Sequence, residues 1–389
     1  MMPPPDKNTS VFPHGHIDRS TWKRVRLGDV CSIKARIGWQ GLKKSEHLDF
    51  GNYCLVSGTD FYNGFVNWKT CSYVSEWRYA QDTNIQLTNG DVLITKDGTI
   101  GKIAYVQGMA HPTTLNSGVF VIRPISNELH PAFLQLVFKS RFFTDFLDKI
   151  TAGSTIVHLY QKDIIDFEFP IPDIDTQLLI EKSISAIDEC IKDQKSCIAK
   201  YEAIKKSTVN LLLEPKADWR TSTMGESFDL SRGVVISKNE IERRPGIYPV
   251  YSSQSVNDGV LGLIDSYRYD GEYITWTTDG ANAGTVFYRH GKFNCTNVCG
   301  IAKARIPKMS PAFVALMIAQ YAKSYVSYVG NPKLMSNIFA QILFSYPSAS
   351  EQRKIAEKIT AIDKVLADYK AQLEKARQLK AGMMSYFFG

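Results

Sequence analysis

The chain has 389 residues, 44% of them hydrophobic and 22% charged, and its formal net charge is +7. This composition is typical of a globular protein of roughly two or three domains. No apolar run approaches ~18 residues, so a membrane-spanning class is excluded. The moderate positive charge is compatible with an anionic partner such as nucleic acid but does not require one.

The first part of the chain predicts a short arm followed by a β-rich domain. Residues 1–20 carry four prolines and are expected to be disordered. They lack a charged segment followed by an apolar one, so no secretory signal is expected. Residues 22–125 are rich in Tyr, Val, Thr, Ile, Trp and Gly, and turn pairs such as Asn63-Gly64 favour a β-meander with tight hairpins.

Helical spacing of apolar residues begins after this region. It predicts a helix over residues 131–149, then a loop at Gly153-Ser154-Thr155 and a short helix near residues 162–166. A much longer helix follows, over residues 173–215, because apolar positions there alternate in steps of four and three, which is typical of a coiled-coil seam. The seam residues of this helix are Ile180, Ile184, Ile187, Ile191, Ile198 and Tyr201.

The second half of the chain has the same order of signals. Strand signals with a turn at Asn257-Asp258-Gly259 come first, then a predicted helix over residues 311–328 and a loop at Gly330-Asn331-Pro332-Lys333. A second long helix is predicted over residues 348–389 with identical heptad steps. Its seam residues are Ile355, Ile359, Ile362, Leu366, Tyr369 and Leu373.

These halves form an internal repeat. Phe169-Pro170-Ile171-Pro172 and Gln177 recur, 175 residues later, as Phe344-Ser345-Tyr346-Pro347 and Gln352. Further upstream, Leu27-Gly28-Asp29 is echoed by Met224-Gly225-Glu226. Two copies of one unit predict a pseudo-twofold object, and the stretches between the matched segments differ where each copy would bind something different.

The repeat and the two seams define the expected architecture. Each lone apolar stripe must be buried, and the other long helix is the obvious partner, packed antiparallel. The fold class is therefore α+β, with two β-rich domains that contain short helices and are separated by two long helices forming an antiparallel coiled coil. The boundaries are expected at 1–20 for the arm, 21–172 for the first β-rich domain, 173–215 for the first long helix, 216–347 for the second β-rich domain and 348–389 for the second long helix.

Motifs for catalysis and metal binding are weak or incomplete. Asn331-Pro332-Lys333-Leu334 has only the first two residues of the Asn/Asp-Pro-Pro-aromatic tetrapeptide that DNA methyltransferases need. Gly98-Thr99-Ile100-Gly101-Lys102 lacks the glycine spacing of a phosphate-binding loop and is better explained as a hairpin turn. The seven cysteines include no second pair at zinc spacing and predict reduced thiols, hence a cytoplasmic location. We expect no catalytic residues, no metal and no cofactor in this chain.

Binding remains as the chemistry that the sequence favours. Arg and Lys contact phosphates and guanine, whereas polar side chains read base edges in the grooves. A basic, glycine-punctuated stretch at residues 34–44 has a counterpart at residues 231–244. A second cluster follows the loop Gly153-Ser154-Thr155, and its polar analogues in the second copy begin at Thr277. The candidate DNA-binding residues are Lys34, Arg36, Lys43, Lys44, Lys96, Thr99, Lys102, His158, Tyr160, Lys162, Arg232, Lys238, Arg243, Thr277, Thr278, Asn282 and Lys333.

The duplicated architecture resembles the specificity subunit of type I restriction–modification systems. The resemblance covers about residues 22–388, and the helix starts at Pro172…Gln177 and Pro347…Gln352 are its characteristic segments. The second copy departs from the pattern, since Asn331-Pro332-Lys333 stands in place of Ser154-Thr155. In that family each β-rich unit is a target recognition domain that reads one half of a split DNA site, and the subunit itself has no catalysis.

The resemblance also implies the partners of the chain. They are duplex DNA, two copies of a modification subunit that the long helices dock, and a restriction subunit; no membrane is implied. S-adenosylmethionine, ATP and Mg²⁺ would then belong to the partner subunits alone. Because the loops of the two β-rich units differ, the expected site is asymmetric and bipartite, and the chain directs methylation or cleavage there. Two alternatives stay open, a coiled-coil adaptor that binds proteins and part of a self-sufficient restriction–methylation enzyme.

Overall fold

The structure is a computed structural model that describes residues 19–152, 158–254 and 256–389. The chain divides into two compact units. The first unit runs up to Asp193 and also contains Leu373–Gly389, and the second unit spans Gln194–Gln372. Among the residues described, no helix is both long and apolar enough to cross a membrane.

The first unit is built from short strands and helices. Its strands are β1 (Lys23–Arg26), β2 (Cys31–Ala35), β3 (Tyr53–Val56), β4 (Phe61–Tyr62), β5 (Phe65–Val66), β6 (Ser72–Val74), β7 (Val92–Thr95), β8 (Ile103–Tyr105), β9 (Thr113–Leu115), β10 (Val119–Pro124) and β11 (Glu168–Ile171). Its helices are α1 (Leu27–Val30), α2 (Glu76–Ala80), α3 (Pro131–Phe138), α4 (Arg141–Thr151), α5 (Gln161–Ile164) and the beginning of α6 (Ile174–Leu212).

Three sheets arrange these strands. The main sheet has the order β2-β10-β7-β8-β5-β4, in which only β5 and β8 are parallel neighbours. A three-stranded sheet has the order β6-β3-β9, and β1 pairs with β11. The β1–β11 pair brings the segment before the long helix back beside the start of the unit, because Lys23 lies opposite Ile171.

The second unit repeats this plan with longer strands. Its strands are β12 (Arg220–Thr223), β13 (Phe228–Arg232), β14 (Pro245–Tyr251), β15 (Val260–Ile264), β16 (Tyr269–Thr277), β17 (Val286–Cys295), β18 (Cys299–Ala304) and β19 (Leu343–Tyr346). Its helices are α7 (Met224–Ser227), α8 (Lys238–Arg243), α9 (Pro311–Ala319), α10 (Ser336–Phe339), part of α6 and most of α11 (Ala349–Phe388). The main sheet has the order β13-β18-β16-β17-β14-β15, and β12 pairs with β19.

The internal repeat predicted from the sequence is confirmed by these sheets. Both main sheets begin with four equivalent antiparallel strands and then add a parallel neighbour, β5 beside β8 in the first and β14 beside β17 in the second. The copies then differ. In the first unit the second strand of the β4–β5 hairpin pairs with the sheet, whereas in the second unit the first strand of the β14–β15 hairpin does so. Within the described residues, the additional sheet β6-β3-β9 belongs to the first unit only.

The repeated glycines are explained by close packing. The N–H of Gly28 donates to the carbonyl of Ile165 at 3.0 Å, and that of Gly225 donates to the carbonyl of Ala340 at 2.9 Å. A Cβ on Gly28 would lie 3.0 Å from the Cβ of Ile165, and one on Gly225 would lie 3.2 Å from the Cβ of Ala340. These contacts are tighter than ordinary van der Waals contact, so glycine is the residue that fits.

Two predicted helices are shorter than the periodicity indicated. The helix expected over residues 131–149 is divided into α3 and α4 at Lys139–Ser140, where the Ser140 hydroxyl turns back to the carbonyl of Val137 at 2.6 Å. The helix expected over residues 311–328 ends at Ala319, because Tyr321 has a non-helical backbone (φ −138°, ψ −1°), and a short 3-10 turn follows. The periodicity located the apolar faces correctly but not the breaks between helices.

Both long helices predicted from the heptads are present, as α6 and α11. In the first unit, Asp188 of α6 pairs with Lys380 of α11 at 2.5 Å. In the second unit, Gln194 contacts Gln372, and further along α6 Lys205 pairs with Asp363, so the two segments run antiparallel. The seam residues are buried at Ile180, Ile184, Ile355, Ile359, Leu366 and Leu373, and half-buried at Ile187, Ile191, Ile198, Tyr201, Ile362 and Tyr369.

The core of the first unit includes residues from far along the chain. Phe387 and Phe388 are buried there together with Phe133 and Ile184, and the rings of Phe133 and Phe388 lie 5.6 Å apart. The core of the second unit is centred on Trp276, whose ring stacks on Phe339 at 3.7 Å. Each core therefore combines sheet, short helices and a segment of the long helices.

Candidate nucleic-acid interface

In the first unit, the turn after β7 is held by Thr95. The Thr95 hydroxyl donates to the carbonyl of Thr99 at 2.6 Å and accepts from the N–H of Lys102 at 2.9 Å. The side chains of Thr99 and Lys102 are exposed, whereas Lys96 is half-buried. This turn holds three of the predicted polar residues at the end of one central strand.

A second segment passes beside this turn and carries three candidates, the aromatic Tyr160, the imidazole of His158 and the cationic Lys162. The N–H of Leu159 donates to the carbonyl of Lys96 at 2.9 Å. The His158 ring lies 4.4 Å from that of Tyr160, and the Lys162 ammonium lies 5.6 Å from the Tyr160 ring. Tyr160 is 53% exposed, so its ring face is accessible to a base or sugar.

The carboxylate of Asp97 joins these two segments. Its Oδ2 accepts from the Lys96 ammonium at 3.0 Å, and its Oδ1 contacts Nδ1 of His158. We name the group Lys96, Asp97, His158, Tyr160 and Lys162 the Asp97 cluster. The structure thus brings four of the predicted DNA-binding residues together around an acid that was not among them.

The second unit has an equivalent group after β16. Nη2 of Arg232 donates to Oδ2 of Asp279 at 2.9 Å and to the hydroxyl of Thr278 at 3.0 Å. The Thr278 hydroxyl itself donates to Asp279 Oδ2 at 2.6 Å. Lys333 lies opposite Asp279 as a β-bridge partner and has an exposed side chain. We name the group Arg232, Thr278, Asp279 and Lys333 the Asp279 cluster.

The two clusters occupy the same place in the repeat. In each, the acid is the second residue after a central strand and precedes a glycine with positive φ, Gly98 at 70° or Gly280 at 93°. The backbone carbonyl of the residue before the acid accepts a hydrogen bond from the N–H of a buried leucine, Leu159 in the first unit and Leu334 in the second. The frame is therefore conserved between the units while the cations on it differ.

Two threonines at the Asp279 cluster are too buried to contact DNA and instead support the structure around it. Thr277, the last residue of β16, and Thr278, the residue after it, are 1% and 0% exposed. Asn282 is half-buried and donates to the carbonyl of Ser253 at 3.1 Å. Lys238 and Arg243 are exposed on α8, which begins at the side-chain cap of Ser237.

Arg36 departs from the prediction that it faces DNA. It is 3% exposed, and its Nε donates to the carbonyl of Leu115 at 2.8 Å while Nη2 donates to the Thr114 hydroxyl at 3.1 Å. Burial, with a smaller effect of the nearby Arg78, lowers the pKa of the Arg36 guanidinium. The Arg36 guanidinium binds β9 inside the unit and is not accessible to DNA, so we leave Arg36 out of the interface.

The rest of the basic stretch is exposed and its position is fixed by an ion pair. Lys34 on β2 and Lys43 and Lys44 in the following loop are exposed. Glu46, in the same loop, receives two hydrogen bonds from Arg78, at 2.7 and 2.9 Å, and one from the N–H of Lys43. Those bonds lower the pKa of the Glu46 carboxyl. A bidentate pair of this kind fixes the loop geometry.

Two features bear on other chemistry. The predicted loop Gly153-Ser154-Thr155 lies outside the described residues. In the described ranges, no group of three or more His, Cys, Asp or Glu side chains is arranged to hold a metal ion. Asp97 and Asp279 were not among the site residues predicted from the sequence, although the recurrence of Asp-Gly after each central strand was a signal for them.

Comparisons with known proteins agree with this duplicated frame. The family described as the type I restriction modification DNA specificity domain matches residues 19–200 and again residues 216–376. A Mycoplasma pneumoniae protein provisionally named as a type I specificity subunit is 30% identical over 228 residues, which is 58% of this chain and 91% of that protein. The specificity subunit of the type I restriction enzyme MpnII from the same organism is 38% identical over 160 residues, which is 41% of this chain and 48% of that subunit.

A solved structure shows the same fold. The crystal structure of the type I restriction-modification system S subunit from M. genitalium has a TM-score of 0.66 to this chain at 16% identity, and the match covers 95% of this chain and 96% of that one. The chain therefore belongs to the family of type I restriction–modification DNA specificity subunits. Recognition of the DNA target is its function, and DNA and other subunits of such a system are its partners in general terms.

Proposed function

We propose that the chain reads an asymmetric, bipartite duplex DNA site without catalysing a reaction itself. Each β-rich unit recognises one half of the site. Two copies of a modification subunit dock on the chain and methylate the site, and a restriction subunit added to the complex cleaves DNA. S-adenosylmethionine, ATP and Mg²⁺ are used by those partners.

The observation that carries this proposal is the pair of equivalent clusters with different cations. The frame position held by Lys96 in the first unit is Thr278 in the second, and His158 corresponds to Lys333. Arg232 contacts the acid of the second cluster only. Because base edges are read by specific donor and acceptor patterns, two different sets of donors select two different sequences.

Positioning on DNA is assigned to the exposed basic residues. Lys43 and Lys44 in the first unit, and Lys238 and Arg243 in the second, are exposed cations outside the two clusters. Contacts of this type go mainly to phosphates and fix the register of the protein on the duplex. The clusters then supply the sequence-dependent contacts.

Exchange of one unit tests the proposal. The chain is expressed with its modification partner, and the methylated sequence is determined by sequencing of modified bases across the genome. Replacement of residues 22–168 by the matching unit of a homologue should change one half of the site and leave the other half intact. The control is the equivalent replacement in the second unit, which should change the other half of the site only. A change of both halves by one exchange would contradict independent reading.

Absence of catalysis is tested separately. Titration of the purified chain with S-adenosylmethionine in a calorimeter should give no binding heat, whereas the complex with the modification subunit should bind. Stoichiometric binding by the chain alone would refute this part of the proposal and favour a self-sufficient enzyme.

A further inference from the structure

We propose that Asp97 and Asp279 are positioning residues for DNA readout. Asp97 holds Lys96 and His158 in place, Asp279 holds Arg232, and each acid also lowers the affinity of its unit for DNA of the wrong sequence. This inference rests on the proposed function of the two units. It assigns a role to two acids in a surface that is otherwise expected to be basic.

The geometry is clearest at Asp279. Its side chain is 22% exposed and that of Arg232 is 42% exposed, so the pair lies at the surface rather than in the core. Both hydrogen bonds of Nη2 go to Asp279 and Thr278. Within the part of the chain that the structure describes, Nη1 and Nε of Arg232 have no hydrogen-bond partner. Those N–H groups remain for acceptors on a base edge, such as the guanine O6 and N7 atoms.

Thr278 makes this arrangement rigid. Its N–H donates to the carbonyl of Val298, and its carbonyl accepts from Leu334, both at 2.9 Å. Since Thr278 is fully buried, its hydroxyl is a fixed point that orients both the carboxylate and the guanidinium. A flexible arginine would lose side-chain entropy on binding DNA, and a held one loses less.

Asp97 has the same position but holds other groups. Lys96 and His158 contact different oxygens of its carboxylate, and their side chains are 15% and 28% exposed. The Asp97 side chain is 42% exposed. One carboxylate thus anchors both side chains, so their positions are defined before DNA arrives.

The negative charge has a second consequence. DNA phosphates are repelled by a carboxylate at the surface, and this repulsion is present for every sequence. Contacts to the correct bases offset it, whereas an incorrect sequence offers no such contacts. The acid therefore lowers the affinity for incorrect DNA, while the gain in discrimination comes from the oriented donors, which compensate for the repulsion only on the correct sequence.

The test uses Asp279→Asn, Asp279→Ala and Asp97→Asn in the full chain assembled with its modification partner. The probes are four duplexes. The first carries the methylated site as determined by sequencing of modified bases, two more have its first or its second half scrambled, and the fourth has both halves scrambled. Affinity is measured over a salt series, because phosphate contacts give a steep salt dependence.

We expect opposite changes for the two classes of DNA. Asp279→Asn should raise the affinity for the fully scrambled duplex by about threefold, because one repulsive charge is removed. It should lower discrimination at one half of the site by about tenfold and leave the other half unaffected. Asp97→Asn should do the same at the opposite half, so each variant is the control for the other. Asp279→Ala removes the acceptor as well as the charge and should reduce discrimination further.

Two further controls remove surface carboxylates outside the clusters. Asp229 pairs with Arg305 in the second unit, and Asp145 pairs with Arg141 in the first. Asp229→Asn and Asp145→Asn should change discrimination at neither half. Thermal unfolding of every variant reports whether the fold is intact.

The outcomes separate this inference from the proposed function. If Asp279→Asn and Asp97→Asn weaken binding to all duplexes alike, or leave all affinities unchanged, the acids are not positioning residues although the units still read DNA. If the wild-type complex does not distinguish the methylated site from the scrambled duplex, the proposed function itself is refuted.

Discussion

The backbone N–H of His130 donates a hydrogen bond to the side-chain oxygen of Gln177, 2.8 Å away, and so joins the start of α3 to the first turns of α6. The side-chain nitrogen of Gln177 donates to the carbonyls of Pro172 and Glu128 at 2.9 and 2.8 Å. In the second unit, Gln352 accepts from the N–H of Ser310 and donates to the carbonyl of Pro347. The repeated proline and glutamine thus fix the direction in which each long helix leaves its unit.

Removal of this glutamine should destabilise the unit in which it lies. Gln177 is 0% exposed, and Gln177→Ala leaves three backbone groups without their partner, which costs about 2–3 kcal/mol. Gln352→Ala, which loses two hydrogen bonds, should cost about 2 kcal/mol. Denaturant unfolding followed by circular dichroism measures both. Gln378→Ala, at an exposed position of α11, is the control and should stay within about 0.5 kcal/mol of the wild type.

The seam residues should differ in their tolerance of charge. Ile184 and Ile359 are 1% and 0% exposed, so Ile184→Asp and Ile359→Asp each bury an unpaired carboxylate and should cost several kcal/mol, about 3 or more. The half-buried Ile187 and Ile362 should tolerate the same change better, although Ile187→Asp and Ile362→Asp should still destabilise.

The seam prediction has an internal control. Ile204 of α6 is 50% exposed, and Ile204→Asp should leave the helical signal and the thermal midpoint nearly unchanged. Circular dichroism melting and size-exclusion chromatography report helix content and aggregation. A fully helical, monodisperse double variant of Ile184 and Ile359 would show that the seam is not the packed interface.

Substitution of Arg36 should affect stability, whereas substitution of Lys44 should affect DNA binding. Arg36→Ala removes hydrogen bonds to two buried groups and should lower the free energy of unfolding by about 2–3 kcal/mol. Lys44→Ala should change stability by less than about 0.5 kcal/mol but reduce the slope of DNA affinity against salt by about one. Thermal unfolding and a salt series of binding measurements make the comparison. An unchanged salt slope in Lys44→Ala and Lys43→Ala would remove this loop from the interface.

A pH effect on stability is expected from Lys139. Burial, with a smaller contribution from Lys380 and opposed by Asp188, lowers the pKa of Lys139 from 10.5 to about 8. The unfolded chain therefore binds more protons than the folded one between about pH 8 and 10.5, so this residue makes stability rise with pH across that window. The cost of the buried charge is fully present below about pH 8.

Lys139→Met should abolish this contribution. The apolar side chain keeps the contact with Phe65, over whose ring the ammonium now lies at 5.3 Å, and carries no charge. The variant should be more stable than the wild type at pH 7, and the difference should shrink as pH rises to 10. Denaturant unfolding at several pH values measures it. A difference that is constant with pH would show that the ammonium is not desolvated in the fold.

The sequence was sufficient to predict the elements that rest on periodicity or on the internal repeat. The seams, the two long helices and the β-rich halves all follow from spacings that are visible along the chain. The pairing of Gln177 with His130 was not predictable, because the two residues are 47 positions apart and no local pattern joins them. The same holds for Gln352 and Ser310, 42 positions apart.

The candidate site was predictable only in part, for a related reason. A basic residue in a glycine-rich stretch is expected to be exposed, and Lys43 and Lys44 are. Arg36 is buried instead because β9 pairs in parallel with β3, from about 60 residues earlier, and brings Leu115 beside it. The acids Asp97 and Asp279 carry no distinctive composition, and their role becomes visible only when the cations they hold are brought together by the fold.

The position of Phe387 and Phe388 has a consequence for biosynthesis. They complete the core around Phe133 and Ile184, which leave the ribosome about 250 and about 200 residues earlier. At roughly 5–20 residues per second, the amino-terminal unit then waits about 10–40 s with part of its apolar surface uncovered. During translation the second unit can assemble while the first is still incomplete, so the order of maturation is the reverse of the order of synthesis. A nascent chain stalled before Met383 would accordingly expose an unfinished core to chaperones and proteases.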